Sequence, residues 1–124
     1  IIYPELHYGR DALVGVALFL SLLAERGGNV QQLRESYPAY FMSKNKIQLT
    51  EQINPDQILK AMEQKYAHQQ TTTIDGLKID FADSWVHLRK SNTEPIIRIY
   101  TEAKSQKEAD ALAHRFIEEM QALI

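Results

Sequence analysis

The stretch that most constrains this chain is residues 12–24, ALVGVALFLSLLA, an apolar run that only Gly15 and Ser21 interrupt. Asp11 stands before it as a side chain able to accept first-turn N–H groups, and Gly27-Gly28 follow where a helix can stop. The segment predicts a helix apolar on every side, and such a helix either spans a membrane or is enclosed by protein. At ~1.5 Å per residue the run reaches roughly 20 Å, short of the ~30 Å hydrocarbon core of a bilayer. Burial in protein is therefore the expectation. The residues after 28 are too few to wrap such a helix completely, so part of its surface is expected to lie against a domain beyond this chain. The opening IIYPELHYGRD has no initiator methionine and no basic stretch ahead of an apolar one. It reads as the interior of a longer protein rather than as a native start or a signal peptide.

A length of 124 residues suits one domain, or one domain with a fragment of a neighbour. Its 44% hydrophobic and 24% charged residues match a soluble globular protein. A formal net charge of −2 gives no long-range attraction to nucleic acid or to an acidic membrane, so an anion bound here must be caught by local geometry. No nucleic-acid or membrane partner is expected. The lack of cysteine excludes disulfides and thiolate metal sites and suits a reducing compartment. His7, His68, His87 and His114 have no ligand-like spacing, and no metal site is expected from them.

Beyond residue 28 the patterning changes. Asn29 opens a short helical segment that Pro38 ends, because the residue before a proline avoids helical angles. YFMSKNKIQL mixes aromatic, β-branched and lysine residues, as edge strands do. Asn54-Pro55 predicts a helix start, with Ile58, Leu59, Met62 and Tyr66 on one face. Asp75-Gly76 is a hairpin dipeptide, followed by the alternating Leu77, Ile79 and Phe81. WVHLR and IIRIYTE read as two further strands, and Ser105 with Glu108 as a capping box. The closing helix carries Ala109, Leu112, Ala113, Phe116, Ile117, Met120 and Ile124 on one stripe. Residues 29–124 are thus expected to form an α+β domain, a small antiparallel sheet with helices on one face.

The connection RKSNTEP between the last two strands is the candidate site. Ser91 and Thr93 offer hydroxyls, Asn92 an amide and tolerance of left-handed backbone, and successive turn N–H groups can form an anion-binding nest. Arg89 offers a planar fork matched to two phosphate oxygens. Pro95 stiffens the exit. The same residues also suit an ordinary surface turn, so the physics leaves both readings open. An RNA-binding sheet using Phe81, Trp85 and Tyr100 is disfavoured by the acidic balance.

RKSNTEPIIRIYTE resembles the phosphate-binding loop of the α-D-phosphohexomutases, the phosphoglucomutases and phosphomannomutases. The shared pattern falls on Arg89, Ser91, Asn92, Thr93, Pro95, Arg98 and Glu102. YPELHYGRDALVG is similar to the end of that family's third domain, with Gly9-Arg10-Asp11 opening its last helix. The resemblance implies a four-domain enzyme moving phosphate between C1 and C6 of a hexose through a bisphosphorylated intermediate. Residues 1–28 would be the tail of the third, α/β, domain. Residues 29–124 would be the fourth, with a TATA-binding-protein-like fold that grips the substrate phosphate. Arg89, Ser91, Asn92 and Thr93 would hold the phosphate, with Arg98 in support or paired to Glu102.

The phosphoserine and the Mg²⁺-binding aspartates of that family have no counterpart here, so no catalytic or metal residue is expected in this chain. Glu5 lacks the context of the family's sugar-reading glutamate. The fragment alone is expected to be inactive, its partners being a hexose phosphate and the other three domains, in the cytoplasm. Ser-Asn-Thr resembles the glucose and mannose enzymes, whereas many glucosamine-phosphate members carry Ser-Gly-Thr. A non-enzymatic phosphopeptide-binding module is the alternative of a different class.

Overall fold

The structure is a computed structural model that describes residues 1–50 and 52–124. It divides into two compact units, Ile1–Ala39 and Tyr40–Ile124.

In the first unit, α1 (Ala12–Arg26) begins where expected: Asp11 Oδ1 accepts from Val14 N at 3.0 Å. That bond, together with the one to His7, holds the Asp11 carboxyl below its ordinary pKa. The helix stops at Gly27 and Gly28, whose φ angles of 67° and 84° only glycine adopts freely. A six-residue helix, α2 (Val30–Glu35), follows with a reciprocal cap: Asn29 Oδ1 accepts from Gln32 N and Gln32 Oε1 from Asn29 N, both at 3.0 Å. The enclosure expected for α1 is not supplied by these residues. None of its side chains is fully buried, and Leu13 is 80% exposed. The reason is size, since this unit offers only α2 and the irregular segment before α1 as cover. Within this unit α2 packs beside α1 and Arg26 sits over the Tyr37 ring at 6.0 Å.

The second unit is an antiparallel sheet of five strands in the order β1-β5-β4-β3-β2, with two helices. Its strands are β1 (Phe41–Gln48), β2 (Gln70–Thr72), β3 (Leu77–Asp80), β4 (Trp85–Lys90) and β5 (Ile96–Ala103), and its helices α3 (Pro55–Lys65) and α4 (Gln106–Gln121). The lysine-bearing β1 lies at an edge as expected, exposing alternate residues. Gly76, at φ 78°, makes the β2–β3 turn. Asn54 caps α3 through Asp56 N at 2.9 Å. Ser105 caps α4, accepting from Glu108 N at 3.2 Å; Glu108 returns an acceptor to the Ser105 hydroxyl, at 2.8 Å, rather than to its backbone as a capping box would.

Strand alternation assigns the faces. Val86, Leu88, Ile97 and Ile99 are fully buried and pack with Ile58 and Met62 of α3 and Phe116 and Met120 of α4. Each such side chain contributes about 1.5–3 kcal/mol of transfer free energy, which is what seats both helices on this one face. Thr101 is also fully buried, its hydroxyl donating to the Ala109 carbonyl at 2.8 Å and pinning β5 to α4. Of the stripe expected on α4, Ala109, Ala113, Phe116 and Met120 are buried, whereas Ile124 lies beyond the helix and is exposed. Tyr66 stacks on Phe116 at 4.9 Å and donates to Glu119 at 2.9 Å. Burial, reinforced by Glu119, pushes this phenol up to about 12. The opposite sheet face carries Trp85, His87 and Arg89 of β4 and Arg98, Tyr100 and Glu102 of β5.

Candidate functional site

The candidate loop is the β4–β5 connection. Its base is set by the ladder, with Arg89 opposite Arg98 and Lys90 opposite Ile97, closed by Ser91 N donating to the Ile96 carbonyl at 3.0 Å. Its exit is tied to β1: the Pro95 carbonyl accepts from Leu49 N at 2.8 Å and from the Gln48 side chain at 3.4 Å. Between these anchors the Ser91 and Thr93 hydroxyls lie 3.4 Å apart, and Thr93 N approaches Ser91 Oγ at 3.4 Å. Asn92, Thr93 and Glu94 are exposed. Ser91, Asn92 and Thr93 therefore form one polar tip, as the sequence implied. Asn92 does not use the left-handed backbone it tolerates, since no non-glycine residue among those described has positive φ. A nest of the alternating left- and right-handed kind is thus absent from this loop, because the Ser91 hydroxyl shapes the turn instead.

Arg89, half exposed, is the next-to-last residue of β4, on the face opposite the helices. Its Nε lies 3.1 Å from Asp75 Oδ1 in the β2–β3 turn. Lys90, pointing the other way, reaches Asp56 of α3 at 2.7 and 2.8 Å and ties the loop base to that helix. Arg89, Lys90 and Asn92 line a concavity of about 360 Å³ together with Asp75, Gly76 and, from α3, Asp56 and Lys60. Ser91 and Thr93 stand beside this concavity rather than in its wall.

Arg98 is half-buried in mid-sheet, directly opposite Arg89 on one side and Lys46 of β1 on the other. Its alternative role, a pair with Glu102, is not what the structure shows. Glu102 accepts from Trp85 Nε1 at 2.9 Å. Four residues along a strand separate the two side chains by roughly 13 Å, beyond the reach of an ion pair. The result is a cross-strand row Lys46–Arg98–Arg89 of like charge. Directly opposed like charges destabilise a sheet unless an anion offsets them.

Asp75, Lys90, Lys60 and Lys46 escaped the sequence reading. Asp75 was legible as a turn residue, but its meeting with Arg89 depends on strand order. Glu5 belongs to the first unit, where its carboxylate accepts from the Tyr3 hydroxyl at 2.5 Å. Among the described residues no group of three or more histidine, aspartate or glutamate side chains could hold a metal ion. No described helix is long and apolar enough to cross a membrane.

Comparison with known proteins shows the family to which the chain belongs. Residues 45–119 match the family model described as phosphoglucomutase/phosphomannomutase, C-terminal domain. A phosphoglucosamine/phosphogalactosamine mutase of Sulfurisphaera tokodaii is 38% identical over 114 residues, covering 90% of this chain and 25% of that protein. A phosphoglucomutase/phosphomannomutase of Thermococcus kodakarensis is 36% identical, covering 88% of this chain and 24% of that protein. Among solved structures, a phosphoglucomutase/phosphomannomutase family protein from Burkholderia thailandensis aligns with TM-score 0.53 and 26% identity, over 78% of this chain and 20% of that one. The chain thus spans about a quarter of the length of the curated relatives it matches. It belongs to the phosphoglucomutase/phosphomannomutase family, and residues 45–119 are that family's C-terminal domain.

Proposed function

We propose that this chain is the substrate-phosphate grip of a phosphohexomutase that interconverts hexose 1-phosphate and hexose 6-phosphate through a bisphosphorylated intermediate. The observation that carries it is the like-charged row ending in Arg89 beside the Ser91–Thr93 tip. Arg89 would meet two phosphate oxygens with its Nη fork, the Ser91 and Thr93 hydroxyls and the Asn92 amide would donate to the others, and Arg98 would add field from mid-sheet. None of these contacts depends on which sugar carbon bears the phosphate. Whichever end is not reacting can therefore be held while its binding energy orients the other. The reacting groups, and the Mg²⁺ the whole enzyme would use, belong to residues outside this chain, which by itself would turn nothing over. A cytoplasmic setting goes with this metabolic reading.

Glucose and mannose phosphates are the substrates that Asn92 favours. A second reading, glucosamine phosphate, is favoured by the relative named as a phosphoglucosamine/phosphogalactosamine mutase and by a probable phosphoglucosamine mutase of Methanopyrus kandleri, 30% identical over 119 residues. A free phosphopeptide module accounts poorly for the family membership.

The test is an NMR titration of the labelled chain with glucose 6-phosphate, glucosamine 6-phosphate and a phosphoserine peptide. Shifts at Ser91, Asn92, Thr93 and the Arg89 side chain with either sugar phosphate are expected. Shifts with the peptide alone, or none in this loop with either sugar, would sink the proposal.

A further inference from the structure

We infer that Asp75 is a positioning residue for Arg89: the Asp75–Gly76 turn is built against β4 so that the guanidinium is oriented before substrate phosphate arrives. The inference rests on the reading of Arg89 as the phosphate grip. Three separate contacts carry it. The first is the ion pair itself, Asp75 Oδ1 to Arg89 Nε at 3.1 Å. It engages the stem-side nitrogen, and the paired Nη atoms at the far end are the fork that suits a phosphate. The second is Gly76. The ladder pairs Leu77 with Leu88, which brings residue 76 up against residue 89. A Cβ on Gly76 would stand 3.1 Å from Arg89 Cα and closer still to the Leu88 carbonyl, and the φ of 78° is itself glycine's. Only glycine lets the turn come this near. The third is His87, whose Nε2–H donates to the Asp75 carbonyl at 2.5 Å, a carbonyl being able only to accept. The turn is thus held to β4 at the Asp75 carbonyl and at the close approach of Gly76, both next to the carboxylate.

A tether of this kind does more than add a surface ion pair, which contributes little to folding when both partners are this exposed. An arginine gives up rotamer freedom when it clamps an anion, and holding it in place beforehand reduces that loss. A carboxylate beside the grip could compete with phosphate for the guanidinium, and the two roles differ in sign.

The experiment measures inorganic phosphate and glucose 6-phosphate affinities by NMR titration for wild type, Asp75→Asn, Arg89→Ala and the double variant. Asparagine keeps the turn-forming side chain and its acceptor oxygen but removes the charge. Asp75→Asn is expected to weaken both ligands about three- to tenfold and to move the Arg89 Nε–Hε resonance, leaving the Val86 and Leu88 amides in place. In the Arg89→Ala background the same change should alter affinity by less than about twofold, because a positioning residue acts only through its partner. Unchanged or tighter binding by Asp75→Asn with a strong Arg89→Ala effect would overturn this inference alone. An Arg89→Ala variant that binds like wild type would overturn the grip and this inference together.

Discussion

Arg89→Ala separates a phosphate grip from a decorated turn. In the folded chain Arg89 is 49% exposed and its partner Asp75 60%, so the ion pair between them is a surface pair worth at most ~1 kcal/mol to stability. For a domain of this size ~1 kcal/mol moves a melting temperature by roughly 4–8 °C, which bounds the thermal penalty. The ligand side is larger. A charge-assisted hydrogen bond contributes roughly 1.5–3 kcal/mol, and a half-exposed site stays near the lower end. At ~1.4 kcal/mol per decade, removing the guanidinium should weaken glucose 6-phosphate binding by about ten- to thirtyfold. Arg89→Lys should recover part of this, since a point charge lacks the fork. The assay is NMR-titrated affinity at fixed ionic strength, because exposed charges are screened beyond ~8 Å at ~0.15 M salt. Thermal melting of each variant accompanies it. Binding by Arg89→Ala within twofold of wild type, with an unchanged melt, would refute the reasoning and leave RKSNTEP an ordinary turn.

Three further outcomes are expected. Asn92→Gly should weaken sugar-phosphate binding only a fewfold by the same titration, since the backbone donors remain and no left-handed angle at Asn92 is there to be relieved. Thr101→Val should lower the urea-unfolding free energy by about 0.5–1.5 kcal/mol, the net contribution of one neutral hydrogen bond, while leaving ligand affinity unchanged. Tyr66 bears on alkaline stability. Folding raises its phenol from 10.0 to about 12, so its contribution is complete below pH 10 and fades as pH rises toward 12. Tyr66→Phe should flatten that part of a melting-temperature profile, and a decline as steep as wild type's would count against the assignment.

The elements of this protein were largely legible in its sequence because their signals are local. Asp11, Asn29, Asn54 and Ser105 each cap a helix through N–H groups within three residues. Asp75-Gly76 turns a hairpin for the same reason, and Ser91, Asn92 and Thr93 share a tip because the short connection 91–95 cannot place them elsewhere. What the sequence could not determine is what meets across strands. The order β1-β5-β4-β3-β2 places Lys46 beside Arg98 and Arg98 beside Arg89, although Lys46 and Arg89 are far apart in the chain. The same order brings Asp75 to Arg89 and the Glu102 carboxylate to Trp85, while the extended path of β5 keeps Glu102 out of reach of Arg98. The fate of α1 was only half legible. Its composition demanded cover, but cover comes from tertiary neighbours, and a unit ending at Ala39 has too little surface to provide it. Local hydrogen bonds and periodicity act over a few residues and can be read directly. The charge environment of an arginine on a sheet is set by partners dozens of residues away, which only the folded register brings together.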